Sequence, residues 1–218
     1  MRLIFLGSPG SGKSTQAGMV SDKIGIPRIA TGDLLREAVA RDTDVGRKAE
    51  VYMKRGELVP DDVMLPLVER RLGEADCSEG YILDGFPRTL AQAVGFEEIL
   101  ARRGEVLDGV ILIDVEAEKI LKRLSRRRLC VECNTLYNLD GDPPLENERC
   151  KKCGCELVLR NDDAEDTVRR RLYIYRSNTV PLVGYYEAEG LLRKVDGSGS
   201  IDSVFALVSD EISELRRS

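Results

Sequence analysis

The chain of 218 residues contains no histidine, and that absence removes whole classes of chemistry. Ser-His-Asp and Cys-His nucleophilic catalysis are excluded, as is every metal site built on imidazole. Apolar runs long enough to cross a bilayer are also missing. Met1-Arg2 leads straight into an apolar stretch with no signal-peptide pattern, so a cytoplasmic protein without a membrane partner is expected. Aromatic residues are only 5% of the chain and the formal net charge is -5, which argues against broad nucleic-acid binding. There is no internal repeat and no low-complexity tract. What remains for chemistry is arginine, lysine, carboxylates and a metal ion. A hydrophobic content of 42% with 33% charged residues describes one substantial core with room for an inserted subdomain.

The most informative stretch is the first. Arg2-Leu3-Ile4-Phe5-Leu6 runs into Gly7-Ser8-Pro9-Gly10-Ser11-Gly12-Lys13-Ser14-Thr15, which fits the phosphate loop G-x-x-x-x-G-K-[ST] between a strand and a helix. The glycines let backbone N–H groups converge on phosphate oxygens, Lys13 adds a point charge, and Ser14 or Thr15 offers a hydroxyl to Mg²⁺. A chance glycine-lysine turn would not need the strand before and the helix after.

Beyond the loop, helices are expected over 15–24, from 31 through Val39, and over 46–55, 61–72, 89–103, 116–128, 164–176 and 201–215. A further helical stretch over 180–189 is expected to break at Pro181. Strands are expected at 28–30, 81–83, 110–113 and 192–195. Alternation of this kind predicts a P-loop doubly wound parallel sheet flanked by helices, with ligands at the carboxyl ends of the strands. Asp84 ends one such strand and is either a partner for the water shell of a phosphate-bound Mg²⁺ or an ordinary Asp-Gly turn residue.

The alternation stops at Cys130. From there to about Leu159 the chain reads as a small β-rich insertion holding Cys130-x-x-Cys133 and Cys150-x-x-Cys153. Two such knuckles predict a four-thiolate zinc site, the alternatives being two disulfides or an iron–sulfur centre. Cys155 lies close enough to compete with Cys153, and Cys77 reads as an isolated small side chain. A closed four-thiolate site offers no open position to substrate, so this metal is expected to hold shape only.

Asp84-Gly85-Phe86-Pro87-Arg88-Thr89, taken with the phosphate loop, with Thr31-Gly32-Asp33-Leu34-Leu35-Arg36 and with Asp162-Asp163 leading to Thr167-Val168-Arg169-Arg170-Arg171-Leu172, closely resembles the adenylate kinases over essentially the whole chain. The insertion resembles the zinc-containing lid of their longer bacterial members. The resemblance implies core over 1–29, 60–125 and 164–218, an AMP-binding arm over 30–59 and a zinc-stapled lid over 126–163. It implies reversible Mg-dependent transfer from ATP to AMP, giving two ADP, by a monomer.

The resemblance also distributes roles. Lys13, Arg36, Arg88, Arg123, Arg160, Arg171 and Asp84 would be catalytic. Gly10, Ser11, Gly12, Lys13, Ser14, Thr15, Arg127, Leu136, Tyr137 and Gly199 would hold ATP. Thr31, Arg36, the backbone of Glu57, Leu58 and Val59, the run Gly85, Phe86, Pro87 and Arg88, and Gln92, Arg160 and Arg171 would hold AMP. Such a site suits a reaction that needs positioning and charge compensation rather than acid–base chemistry. One departure is Ser14-Thr15, where these kinases usually carry Gly-Thr; another is Cys153, where some carry aspartate. Competing readings are a kinase for another nucleoside monophosphate, a zinc-ribbon ATPase binding nucleic acid through Arg126-Arg127-Arg128, and a metal-stapled structural module.

Overall fold

A computed structural model describes residues 1–133, 135–140, 148–160 and 163–217. The expectation resting on Asp162, and the corresponding parts of the 126–163 and 164–218 spans, lie outside the described residues.

The apolar runs read as buried strands form one five-stranded, wholly parallel sheet. Its members are β1 (Arg2–Leu6), β2 (Arg28–Ala30), β3 (Tyr81–Asp84), β4 (Gly109–Asp114) and β8 (Leu192–Asp196), in the order β2-β3-β1-β4-β8. Phe5 stands opposite Asp84 on one side and Ile111 on the other, so the loop leaving β1 and the acid ending β3 emerge side by side. Both faces of the sheet are covered. Ile4, Leu83, Val110 and Leu112 pack with α4 (Asp61–Leu72), α5 (Leu90–Arg103) and α8 (Pro181–Ala188), while Phe5, Ile82 and Ile111 pack with α1 (Lys13–Ile24) and α9 (Ile201–Leu215). Strands buried on both sides cannot alternate polar and apolar residues, which is why they read as continuous apolar runs.

Between β2 and α4 lie α2 (Thr31–Ala40) and α3 (Asp44–Lys54). Thr43 caps α3, its hydroxyl accepting from the N–H of Gly46 at 3.0 Å. Gly46 lies so close to α2 that a Cβ there would overlap the Ala38 carbonyl. Thr89 caps α5 in the same manner, accepting from the N–H of Gln92 at 3.1 Å. Thr31 begins α2 and turns its hydroxyl to the Gly85 carbonyl at 3.0 Å.

Two departures from the sequence reading go beyond a residue or two at an element's end. The helix expected over 116–128 is α6 (Ala117–Ser125), and Arg127–Cys130 is a strand, β5. Its antiparallel pairing with β6 (Leu136–Asn138) and β7 (Leu157–Val158) claims the backbone groups that a longer helix would have used; sheet pairing overrides the helical preference of three consecutive arginines. The break expected at Pro181 appears one turn earlier. Here α7 (Glu165–Ile174) widens into a π-helical turn, Tyr175–Thr179, and Pro181 then opens α8, a first-turn position where its missing N–H costs little. Among the described residues no helix is long and apolar enough to cross a membrane.

Candidate active site

The phosphate loop closes on itself through the N–H of Ser11 to the Ser8 carbonyl at 3.1 Å. Gly12 stands before α1 with φ +94° and nothing within 4 Å of where a Cβ would lie. The first N–H groups of α1 therefore face an open cradle at the positive end of the helix. Lys13 folds back over it, Nζ lying 3.3 Å from the Ser8 carbonyl. Burial pushes the Lys13 pKa down to about 8; Asp84 works against that fall, and Arg88, Arg171 and Arg127 add to it.

Asp84 is buried, and its Oδ2 accepts from Arg28 Nη1 at 3.0 Å. The same nitrogen reaches the Ser14 carbonyl at 3.3 Å, and Nη2 approaches Asp33 at 3.4 Å. Ser14 is half-buried beside this group, whereas Thr15 is exposed. On the other side of the loop, Arg123 donates to the carbonyls of Ser11 at 3.2 Å and Gly197 at 2.9 Å. Burial lowers its pKa and Asp196 opposes this. Gln16, in α1, donates to the Ile201 carbonyl at 3.0 Å, so the turn containing Gly199 is tied at one end to the loop through Arg123 and at the other to the helix that follows it.

A cavity of about 510 Å³ lies beyond the carboxyl ends of β2 and β3. Thr31, Arg36, Glu57, Leu58, Val59, Gly85, Arg88, Gln92, Arg160 and Arg171 all line it, as do Leu129, Val131, Val158 and Leu159 from around the small sheet. Phe86 is fully buried against Phe96, with ring centroids 5.8 Å apart and perpendicular, so this position can offer only backbone to a ligand. A second, narrower cavity of about 50 Å³ is bordered by Gly7, Pro9 and Lys13 on the loop side. Gly56, Leu58, Gly85, Arg88 and Arg171 line both cavities, while Pro87 lines only the narrower one. Two charged side chains thus stand where the two spaces meet.

The arginines are prearranged by carboxylates and carbonyls. Arg88 Nε donates to the Gly85 carbonyl at 2.7 Å. Arg36 pairs with Asp33. Arg127 makes a two-pronged contact with Asp163, Nε lying 2.6 Å from Oδ2, and Arg171 approaches the same carboxylate at 3.5 Å. The Asp163 side chain is wholly buried, where charge-assisted bonds of this kind are strongest.

In the small sheet, Cys130, Cys133, Cys150 and Cys153 bring their Sγ atoms within 4.8 Å of one another, and none is disulfide-bonded. Cys155 stands apart, with Sγ 3.9 Å from the Cys153 carbonyl. Four thiols at this spacing, each on a short knuckle, can hold a metal. Tyr137 turns its hydroxyl to Cys150 Sγ at 3.3 Å and accepts from the Lys151 N–H at 3.0 Å. Its neighbour Leu136 is exposed. Cys77 is buried beside Arg71, at 3.0 Å.

Two residues of this architecture have no signal in the sequence, and a third, Asp163, enters only through the family resemblance. Arg28 was one of 33 basic residues. Asp61 reads as the first residue of a helix and nothing more; only tertiary contact gives Arg28, Asp61 and Asp163 their partners.

Comparison with known proteins follows the same lines. A family model described as adenylate kinase matches residues 5–191. An adenylate kinase of Archaeoglobus fulgidus is 52% identical over 205 residues, covering 94% of each chain. One from Thermodesulfovibrio yellowstonii is 50% identical over 205 residues, 94% of this chain and 95% of its own. Another, from Moorella thermoacetica, is 49% identical over 208 residues, 95% and 96% respectively.

Proposed function

The chain belongs to the adenylate kinase family and transfers a phosphoryl group reversibly between ATP and AMP, and we propose that it does so where its two cavities meet. The carrying observation is that Arg88 and Arg171 line both the wide cavity and the narrow one beside Lys13. ATP takes the phosphate loop, with Arg123, Arg127, Leu136 and the Gly199 turn on its far side. AMP takes the wide cavity, with Thr31, Gln92 and the backbone of Glu57 to Val59 around its nucleoside and Arg36 and Arg88 on its phosphate.

In this arrangement the facing phosphates approach in line between cationic side chains, and the protein's contribution is position and charge. Lys13 follows the transferring group, while Arg88, Arg160 and Arg171 compensate its equatorial oxygens with planar donors that stay charged. Mg²⁺ bound with ATP neutralises its outer oxygens. Ser14 and Asp84, both within reach of Arg28, are the residues that would hold it, Asp84 through water. Residues 30–59 act as the acceptor arm and 126–163 as a lid whose closure excludes water from the phosphoryl group. A structural Zn²⁺ on Cys130, Cys133, Cys150 and Cys153 gives that lid its shape. Four thiols gathered for a metal rather than paired fit a reducing compartment, the cytoplasm, and the protein works there as a monomer on small nucleotides.

Product analysis with Mg·ATP and AMP, CMP, UMP or GMP in turn tests the assignment. ADP formed at twice the rate of ATP loss, with AMP alone and without free phosphate, is expected. Faster turnover of another monophosphate would overturn the roles of Thr31 and Gln92, and phosphate release without any acceptor would overturn the closed-lid reading.

A further inference from the structure

Gln92 lines the wide cavity and is 2% exposed. Both ends of its amide are already committed: Nε2 donates to Asp61 Oδ1 at 2.7 Å, and Oε1 accepts from the backbone N–H of Arg88 at 2.8 Å. A carboxylate can only accept and a backbone N–H can only donate, so the amide has a single permitted orientation. Turning it over would set N–H against N–H and oxygen against carboxylate. An amide carries two N–H groups and two lone pairs, so one of each remains for a ligand. That remainder complements an edge on which an acceptor stands beside a donor, as N1 and the 6-amino group do in adenine. Hypoxanthine presents the reverse, N1–H beside O6.

Asp61, in the first turn of α4, is half-buried and does not line the cavity. Its other side-chain partner is Thr89 Oγ1, at 3.5 Å. We propose that Asp61 sets the base selectivity of the acceptor site by fixing the amide of Gln92 in one orientation. It is a positioning residue, and its role rests on the reading of Gln92 as the base contact. The Arg88 N–H is main chain, so Asp61 is the half of the lock that a side-chain change can open. Without it, Nε2 loses its buried acceptor and the penalty for turning over falls.

The experiment compares kcat/KM for AMP and for IMP, with Mg·ATP saturating, in the wild type and in Asp61→Ala, Asp61→Asn and Gln92→Leu, after melting curves establish that each variant is folded. In Asp61→Ala the AMP:IMP ratio is expected to fall about tenfold or more, mainly through KM for AMP. Asp61→Asn keeps an oxygen of the same reach but can also turn an N–H toward Gln92, so its ratio should fall between the wild type and the alanine variant. Asp61→Ser, whose hydroxyl is too short, replaces the alanine variant should that one not fold. A merely structural Asp61 would lower both substrates together and leave the ratio unchanged. That result, with the ratio collapsing in Gln92→Leu, overturns the inference about Asp61 alone; an unchanged ratio in Gln92→Leu overturns the reading of Gln92 and the inference with it.

Discussion

Lys13 holds its proton less firmly than an exposed lysine, because burial and three arginines around it outweigh Asp84 and bring its pKa to about 8. A polyphosphate placed beside it restores the charged form, so binding at pH 9 should draw a proton from solution. KM for ATP is accordingly expected to rise above pH 8, approaching about tenfold per pH unit, while kcat stays level. Calorimetric titration in two buffers of different ionisation enthalpy measures the uptake directly; a flat KM between pH 7 and 9.5 with no buffer dependence would sink the argument. The sign for stability follows from the same shift. Unfolded Lys13 stays protonated up to 10.5 and folded Lys13 only to about 8, so this group adds stability to the empty protein as pH rises through that interval. Arg28 acts at the same scale. With Arg28→Gln, Asp84 and the Ser14 carbonyl lose their shared donor, and the Mg²⁺ concentration giving half-maximal rate should increase while KM for AMP changes little; equal Mg²⁺ titrations would show that Asp84 needs no support.

Among the elements, the close crossing of α2 and α3 depends on one missing side chain. A methyl group at Gly46 would run into the Ala38 carbonyl, which belongs to the backbone and cannot rotate away. Gly46→Ala should cost about 2 kcal/mol or more, seen in urea unfolding, and raise KM for AMP more than KM for ATP because α2 carries Thr31 and Arg36. An unchanged unfolding midpoint would refute the crossing. Elements of this kind were legible in the sequence wherever one local cause fixed them: the buried parallel strands by their apolar runs, α1 by the loop before it, and α5 by Thr89. The exceptions share a cause. Arg127–Cys130 became a strand because β6 and β7 pair with it, and the wide turn before Pro181 is tied across the fold by the Thr179 hydroxyl, which donates to the Arg88 carbonyl at 3.0 Å, neither of which any local window contains. The site follows the same division. Lys13 and the four cysteines stood in motifs with a spacing, and Arg36, Arg88, Gln92 and Arg171 were ranked only by family resemblance. Arg28 and Asp61 act through partners 56 and 31 residues away and carry no pattern; Asp163 was marked only by the resemblance, and its partner Arg127 lies 36 residues away.

At the scale of the whole molecule, the small sheet stands on few supports among the described residues. Asn138 donates to the Arg123 carbonyl at 3.1 Å and Arg127 pairs with Asp163, while its own buried apolar cluster consists of Cys130, Cys150 and Leu157. So small a core cannot hold three strands unaided, and a metal on the four thiols would supply most of what is missing. Chelation, or Cys130→Ser, is therefore expected to lower Tm by several degrees, roughly 2–4 °C for each kcal/mol lost, while kcat at low temperature falls less. Identical melting curves before and after verified removal of metal would exclude a stapling role. Asp163 has a consequence of another kind. A buried carboxylate that collects Arg127 and Arg171 gives those cations a counter-ion before any nucleotide arrives, so the vacant pocket is not a cluster of repelling charges waiting to fly apart. On the proposed assignment the incoming phosphates would take part in an exchange, winning the arginines from a resident anion, and their net affinity would reflect the difference between two attractions. An exchange of this kind would suit a catalyst whose reaction runs in both directions, since whatever it captures it must also let go.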